Sequence, residues 1–304
     1  MFKNIDNVNT NNYKKQREFN IELYRIVLMI FIISHHYVVN SGLLDLMYQD
    51  PFSLKSIYLF IFGAWGKIGI NCFVLITGYF MCTSKITLKK FLKLILEVEF
   101  YKVTFYLIFL ISGYESFSIK NFIKAFLPVI SITTNFVGCY IIFYLLIPFI
   151  NILIENISQK QHIALLMVLL FMYSIIGNIP SFQVNMNYVG WYFVIYLIGS
   201  YIRLYPNKIF ESKKCSVSIC LICLLMCILS AIVCLWVGQK AKKEMAYYFI
   251  NDSNKLLSVI TSIFLFLTFK NIKIKYNIII NTMAESIFGV LMIHANSDTM
   301  RRFL

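Results

Sequence analysis

The stretch ELYRIVLMIFIISHHYV, residues 22–38, decides the fold, because it is an apolar run that carries an arginine and two adjacent histidines. A helix needs about 20 predominantly apolar residues to cross the roughly 30 Å of hydrocarbon in a bilayer. The stretch and its flanks meet this length, so we predict a membrane span here. Charged and titratable groups inside a span are rare, and Arg25, His35 and His36 therefore need an explanation.

Composition places the whole chain in the same class as this stretch. Of 304 residues, 59% are hydrophobic and 14% are charged, whereas a soluble domain has roughly 45–50% apolar and about 25% charged residues. We therefore predict an all-α integral membrane protein. The N-terminus lacks the charged, apolar and small-residue pattern of a removable signal peptide, so we expect the first span to act as the insertion signal.

Apolar runs of span length occur along the entire chain and predict a bundle of about nine transmembrane helices. The segment KNFIKAFLPVI, residues 120–130, is too short and too basic to span, and is typical of an interfacial or re-entrant helix. The predicted spans cover residues 21–40, 57–80, 93–112, 136–154, 162–178, 188–205, 216–237, 256–270 and 278–295.

Lysine and arginine in the short connections predict the orientation, since cytoplasmic loops carry an excess of both. Residues 1–19 form a basic tail that we expect in the cytoplasm, followed by one multi-pass domain over residues 20–304. The connections near 81–92, 203–214 and 270–275 agree, but 238–255 is predicted outside although it holds four lysines. The net charge of +14 then reflects orientation and anionic-lipid contact, and not a nucleic-acid partner, because no soluble basic domain is predicted.

Cysteine usage allows two interpretations. Five of the eight cysteines lie between 215 and 234, and Cys220-x-x-Cys223 could belong to a metal or redox site. Cysteine also serves as a small apolar residue in buried helices, and forming the thiolates that zinc requires is costly inside a bilayer. We favour packing and predict no metal site.

Helical geometry relates the polar residues of the first span to one another. The eleven positions from Arg25 to His36 turn about 1100°, three full turns plus about 20°, so the two side chains share one stripe about 16 Å long. Glu22 lies three residues before Arg25, close enough to pair with it, while His35 points about 100° away from His36. The stripe could face a wet bundle interior, or Arg25 could snorkel to the headgroups with His36 at the outer interface. The residues alone leave both interpretations open.

Several segments, in order along the chain, resemble the acyltransferase-3 family of multi-pass membrane acyltransferases. The first has the family's arginine, ten residues and then a histidine, here Arg25 and His36. Thr77 stands where serine is usual, and Met292 and Ala295 depart from the family's last pattern. The segments are REFNIELYRIVLMIFIISHHYV (17–38), GKIGINCFVLITGYFM (66–81), CYIIFYLLIPFIN (139–151), WYFVIYLIGSYIRLY (191–205) and SIFGVLMIHANS (286–297).

The resemblance covers about residues 17–304 and implies an activity and its partners. Members transfer an acyl group, most often acetyl, from cytoplasmic acetyl-CoA to a hydroxyl of a cell-surface or lipid-linked sugar. We therefore expect a cell-membrane O-acetyltransferase that modifies polysaccharides of a bacterial envelope, with acyl-CoA as substrate and no bound cofactor. The expected partners are acyl-CoA, a sugar or lipid-linked glycan, and membrane lipids. Relatives usually have one further span after His294, so a tenth helix is expected to be missing here.

The resemblance also suggests roles for the first span. A sugar hydroxyl is a poor nucleophile, and a neutral imidazole at His36 can take its proton as it attacks the thioester. Alternatively, His36 could carry the acyl group itself. Arg25 is suited to hold a CoA phosphate or to orient the histidine-bearing face.

Further candidates for substrate binding each have a structural alternative. Lys67 could mark a span end, Arg203 could be a topological anchor, and His294 could be an interface histidine at a depth similar to His36. Gly63, Gly66 and Gly69 are more typical of close helix packing than of phosphate binding, and His162 is interpreted as interfacial. The substrate-binding candidates are Glu22, His35, Lys67, Asn71, His294 and Arg203.

Two rival classes of function remain. A transporter or flippase of an envelope precursor would also place arginine and histidine in a wet cavity, although no inverted repeat is visible. An unrelated membrane O-acyltransferase would also use an intramembrane histidine. The ordered motifs favour the acyltransferase-3 family.

Overall fold

The computed structural model describes residues 19–126, 136–179 and 187–295, and these residues form helices and connections without a strand. The basic tail and the last residues of the SIFGVLMIHANS segment lie outside the described residues. The helices are α1 (Phe19–Asn40), α2 (Leu43–Gln49), α3 (Leu54–Phe62), α4 (Gly66–Met81), α5 (Leu88–Ile111), α6 (Ile119–Phe126), α7 (Phe136–Glu155), α8 (Gln159–Leu170), α9 (Tyr188–Leu204), α10 (Lys208–Glu211), α11 (Lys213–Ala241), α12 (Leu256–Asn271) and α13 (Ile278–Ala295).

Each of the nine predicted runs is helical over most of its length, but membrane crossing is supported for only some of them. Among the described residues, α9 and α12 fall short of about 20 residues, and α5 carries several charges. The total of nine spans stays a prediction. The five segments that are long and apolar enough to cross are Phe19–Asn40, Leu54–Met81, Phe136–Glu155, Gln159–Asn178 and Lys213–Ala241.

The span predicted over 57–80 lies within the apolar segment Leu54–Met81, and the structure divides this segment into α3 and α4. The turn at Gly63–Trp65 exists because α1 passes very close to it. A Cβ added to Gly63 would lie 2.8 Å from Val38 Cβ, and one added to Gly66 would overlap the His35 ring. The glycines therefore serve close packing, as predicted.

The short segment predicted at 120–130 is represented by α6, which packs against α5 through Tyr106 and Phe122. Residues 127–130 lie outside the described residues, and an interfacial position stays a prediction. The run at 162–178 continues beyond α8 as a π-helical turn, Phe171–Ile175, and a 3₁₀ turn, Ile176–Asn178.

Helix α4 forms the centre of the bundle and packs most extensively against α9. The two backbones approach each other where both helices have glycine: a Cβ on Gly78 would lie 2.5 Å from Tyr196 O, and one on Gly199 would lie 2.6 Å from Leu75 O. Trp191 of α9 is fully buried in the core that α1, α4, α7, α9 and α12 share. This core holds α1 and α4 in a single relative position.

The cysteines of α11 pack as small side chains. Cys220, Cys223, Cys227 and Cys234 are buried free thiols, and Cys227 Sγ lies 3.4 Å from the Thr261 hydroxyl of α12. The part of the chain that the structure describes contains no group of three or more His, Cys, Asp or Glu side chains arranged to hold a metal ion.

The bundle has two ends, which we name after the α1 residue nearest to each: the Arg25 end and the His36 end. Asn20 donates to the carbonyl of Phe269 at 2.9 Å, and Asn151 donates to Met81 O at 2.9 Å. Lys270 pairs with Glu211 at 2.7 Å. Through these contacts the three lysine-rich connections after α4, α9 and α12 share the Arg25 end.

The connection between α11 and α12, residues 242–255, lies at the His36 end and is bound to the bundle. Ala246 N donates to Tyr48 OH at 3.2 Å, and Asn254 donates to Tyr173 O at 2.8 Å. Tyr247 OH donates to Phe60 O at 2.9 Å, and burial raises the pKa of Tyr247, so its hydroxyl stays a proton donor. The basic connection that disagrees with the charge rule is therefore an integral part of the fold.

Candidate functional site

One face of α1 brings the predicted catalytic residues against α13. Met29 and Ile32 pack in an apolar layer with Ala284, Ile287 and Leu291 of that helix. Arg25 lies towards one end of this layer and the His36 ring towards the other. The prediction that Arg25 and His36 share a stripe is thereby confirmed. The stripe faces α13, inside the bundle.

Arg25 is paired as its spacing predicts. Its Nη1 lies 3.2 Å from Glu22 Oε1 and 3.3 Å from Oε2. Glu22 is buried, whereas 37% of the Arg25 side chain is exposed. The buried carboxylate is thus matched by a guanidinium that still faces open space, an arrangement that holds a cation at the mouth of a cavity.

That open space is a cavity of about 470 Å³ between α1, α4, α5, α7 and α13. It extends along α13 from Ala284 to Leu291, which lies three residues before His294. Its charged lining consists of Arg25, Lys90, Lys93, Glu97 and Glu285, and its other walls are Met29, Phe73, Thr77, Leu94, Phe136, Tyr140, Tyr144, Ala284, Ile287, Phe288 and Leu291.

The charged residues of α5 and α13 at this cavity were missed by the sequence analysis. Lys90, Lys93 and Glu97 follow one another at intervals of three and four residues, the spacing of one helical face. That periodicity was available in the sequence, but lysines at a span end are also typical of orientation signals.

His36 meets His294 at the far end of the stripe. The ring centroids of His36 and His294 lie 5.2 Å apart, and those of His35 and His36 lie 6.0 Å apart. The expected similar depth of His36 and His294 is therefore borne out by direct proximity. His294 is 8% exposed, and its Nδ1 donates to Val290 O at 2.7 Å.

His35 points to a different neighbour. Its Nδ1 lies 2.7 Å from the Gly63 carbonyl, which can only accept, so this nitrogen is the donor. The ring also packs against Gly66. His35 therefore joins α1 to the α3–α4 turn, away from α13, and its predicted part in substrate binding stays a prediction.

Lys67 and Asn71 both contact other parts of the bundle. Lys67 Nζ lies 2.6 Å from Tyr188 OH and 3.7 Å from Asp252 Oδ1. Asn71, 1% exposed, donates to Ser253 O at 2.8 Å and accepts from Trp191 Nε1 at 2.9 Å. Neither residue lines the cavity at the Arg25 end. Both connect α4 to the α11–α12 connection, and substrate binding by them stays a prediction.

The remaining substrate-binding candidate, Arg203, lies at the Arg25 end, as does His162. Arg203 is exposed, and its Nη1 donates to Tyr79 OH at 3.2 Å with the guanidinium 5.0 Å from the ring centre. His162 is fully buried, and its Nε2 donates to Leu197 O at 3.1 Å, so this histidine joins α8 to α9. Its position at the membrane interface stays a prediction.

The arrangement brings together the elements of a group-transfer site. The cavity lining has three cations and two carboxylates, and its net positive charge favours an anionic ligand. The apolar walls favour an elongated organic chain, and a histidine pair beyond the cavity can accept a proton. The cavity and the histidine pair lie along one face of α1.

Comparison with known protein families agrees with this geometry. The family model described as an acyltransferase domain, that of the acyltransferase-3 family, matches residues 18–296. Comparison with curated proteins and with solved structures gave no match. Because the family match covers nearly all of the 304 residues, the chain belongs to the acyltransferase-3 family of membrane acyltransferases.

Proposed function

We propose that the protein transfers an acyl group, most often acetyl, from acyl-CoA to a hydroxyl of a cell-surface or lipid-linked sugar. The observation that carries this proposal is the single face of α1 along which Arg25, the cavity and His36 follow one another. A donor and an acceptor that approach from opposite ends would meet on this face. The product would be an O-acetylated envelope polysaccharide or its lipid-linked precursor.

The cavity suits the acyl-CoA donor in charge and shape. Coenzyme A carries phosphates next to a long pantetheine arm that ends in the thioester. In the cavity lining the cations Arg25, Lys90 and Lys93 outnumber the two carboxylates, and a guanidinium binds a phosphate through two parallel hydrogen bonds. An extended arm can cover the stripe of about 16 Å that separates Arg25 from His36, so the phosphates and the thioester would occupy opposite ends.

His36 would act as the general base for the transfer. The imidazole takes the proton of the sugar hydroxyl while the hydroxyl oxygen bonds to the thioester carbonyl carbon. The carbon–sulfur bond then breaks, and the protonated imidazole gives its proton to the leaving thiolate. Atoms and charges balance, since an alcohol and a thioester become an ester and a thiol. Transfer through an acyl-histidine is the alternative that the same residue allows.

The charge distribution supports a cytoplasmic N-terminus in the cell membrane. The three lysine-rich connections share the Arg25 end, and an excess of lysine marks the cytoplasmic side. On this orientation acyl-CoA enters from the cytoplasm at Arg25. The sugar acceptor approaches the His36 end from the other side.

The test is the acetyl ester content of the purified envelope glycan. We expect esters in cells that carry the wild-type gene and none in cells that lack the gene or produce His36→Ala at the same level in the membrane. A changed amount of glycan with unchanged esters per sugar would instead identify a flippase. Acetyl ester content that does not depend on the gene would refute the proposal.

A further inference from the structure

We propose that His294 is a positioning residue that holds His36 in one tautomer and stabilises it when it becomes protonated. The contact is a hydrogen bond from a His36 ring nitrogen to His294 Nε2, made through one bridging water molecule. This inference rests on the proposed function, because it assigns His36 the role of base. It gives His294 a role different from binding the acceptor.

The bond from His294 to its own helix determines which nitrogen can accept. His294 Nδ1 lies 2.7 Å from Val290 O, and a carbonyl oxygen can only accept, so Nδ1 carries the hydrogen. A neutral imidazole has a single N–H. Nε2 of His294 is therefore the acceptor nitrogen of this ring.

Distance and rigidity bring this acceptor to His36. The ring centroids lie 5.2 Å apart and the planes are inclined by 46°. His294 Nε2 is buried without a direct hydrogen bond to a described residue, so one water molecule between the rings can accept from His36 and donate to this nitrogen. The apolar layer of Met29 and Ile32 against α13 holds the two helices in register one turn below the histidines. The pair is thus part of a packed interface and not a chance approach of two mobile side chains.

The other histidines of the chain have different partners. The chain has four histidines in total; His35 donates to Gly63 O and His162 donates to Leu197 O. His294 is the one that combines an oriented acceptor nitrogen with proximity to His36 across a helix interface. The carboxylate of a Ser-His-Asp triad orients its histidine in a comparable way, and a neutral imidazole does so without placing another charge in an apolar region.

The kinetic test replaces His294 in two ways. His294→Phe keeps a flat ring but removes both nitrogens. We expect kcat to fall about 10- to 100-fold, the loss that is usual when a histidine bound to a catalytic metal loses the residue that orients it. KM for acetyl-CoA and for the acceptor should stay unchanged. His294→Gln places an amide oxygen near the former Nε2 and should recover most of the lost kcat.

A spectroscopic test examines the proposal without a measurement of enzyme activity. With ¹⁵N-labelled histidine, the four side chains can be assigned in the full-length protein in detergent micelles. We expect His294 to carry its proton on Nδ1 and His36 to populate one tautomer. His294→Phe should give His36 a mixture of tautomers, whereas His162→Phe, which removes a buried histidine elsewhere, should leave the His36 signals unchanged.

Two results would overturn the proposal. One is a His294→Phe protein with a raised KM for the acceptor and an unchanged kcat, which would assign His294 to acceptor binding. The other is an unchanged His36 tautomer in His294→Phe. Failure of the proposed function is distinguishable, because acetyl ester content would then be the same with the wild-type gene, with His36→Ala and without the gene. Failure of this inference alone leaves His36→Ala inactive and His294→Phe active.

Discussion

Replacing His35 and His36 by alanine, one at a time, distinguishes a catalytic role from an effect of their shared environment on the activity. His35 and His36 are neighbours on α1 and are both partly exposed, so they share depth and local polarity. They differ in direction, since His36 meets His294 on α13 and His35 donates to Gly63 O. We expect His36→Ala to abolish detectable transfer and His35→Ala to retain a substantial fraction of it.

The two magnitudes follow from what each side chain does. A general base contributes about 10²- to 10⁴-fold in rate, which is about 2.7–5.5 kcal/mol of the activation barrier. His35→Ala removes one hydrogen bond, worth about 0.5–1.5 kcal/mol, together with the ring that packs on Gly66. That loss lowers the free energy of unfolding and leaves the barrier unchanged. We therefore expect the turnover of the two variants to differ by about 100-fold or more.

The assay measures thiol release from acetyl-CoA and acetyl ester formation with both variants at equal membrane levels. Thermal unfolding is measured alongside, because His35→Ala is expected to melt at a lower temperature than His36→Ala. The reasoning fails if His36→Ala stays active while His35→Ala is inactive in a folded state. Such a result would place the family motif one residue away from our alignment.

Three other predictions, the last with a matched control variant, test neighbouring features. Arg25→Lys should lose most activity through a raised KM for acetyl-CoA, because an ammonium cannot bond Glu22 and a phosphate as a forked guanidinium does; an unchanged KM would remove Arg25 from donor binding. A cysteine introduced at Lys89 should resist a membrane-impermeant maleimide added to intact cells, and strong labelling would invert the orientation. Gly78→Ala, whose Cβ would meet the Tyr196 backbone, should cost about 1–3 kcal/mol of unfolding free energy. The Cβ of Gly289→Ala would meet a side chain, the hydroxyl end of the Tyr101 ring, and not a backbone, so this control should cost less than Gly78→Ala. Equal melting temperatures of the two variants would contradict the α4–α9 contact.

Features that depend on nearby residues were predictable from the sequence. The helical nature of the apolar runs, the Glu22–Arg25 pair and the shared stripe of Arg25 and His36 all follow from spacing along one helix. Each is set by the 3.6-residue period and needs no knowledge of neighbouring helices. The same reasoning placed His35 on a different face.

Features that depend on which helices meet were not predictable. Lys93 of α5 and Glu285 of α13 line the same cavity. Nothing in the sequence of either helix alone specifies that the two helices are neighbours. The break at Gly63–Trp65 was not predicted, because the mean hydropathy of a segment of about 20 residues does not reveal a short turn inside the segment. Close passage of α1, and the bond from His35, belong to the tertiary structure.

The attachment of residues 242–255 has a practical consequence for engineering the protein. Their hydrogen bonds reach partners far away in sequence, such as Tyr48, Phe60 and Tyr173, so an epitope tag or fluorescent domain inserted there would separate several helices at once. The turn between α7 and α8 offers a better insertion point, because Asn156 donates to the carbonyls of Ile152 and Leu153, both in the preceding helical turn. A reporter placed after that residue leaves the long-range hydrogen bonds of the bundle intact.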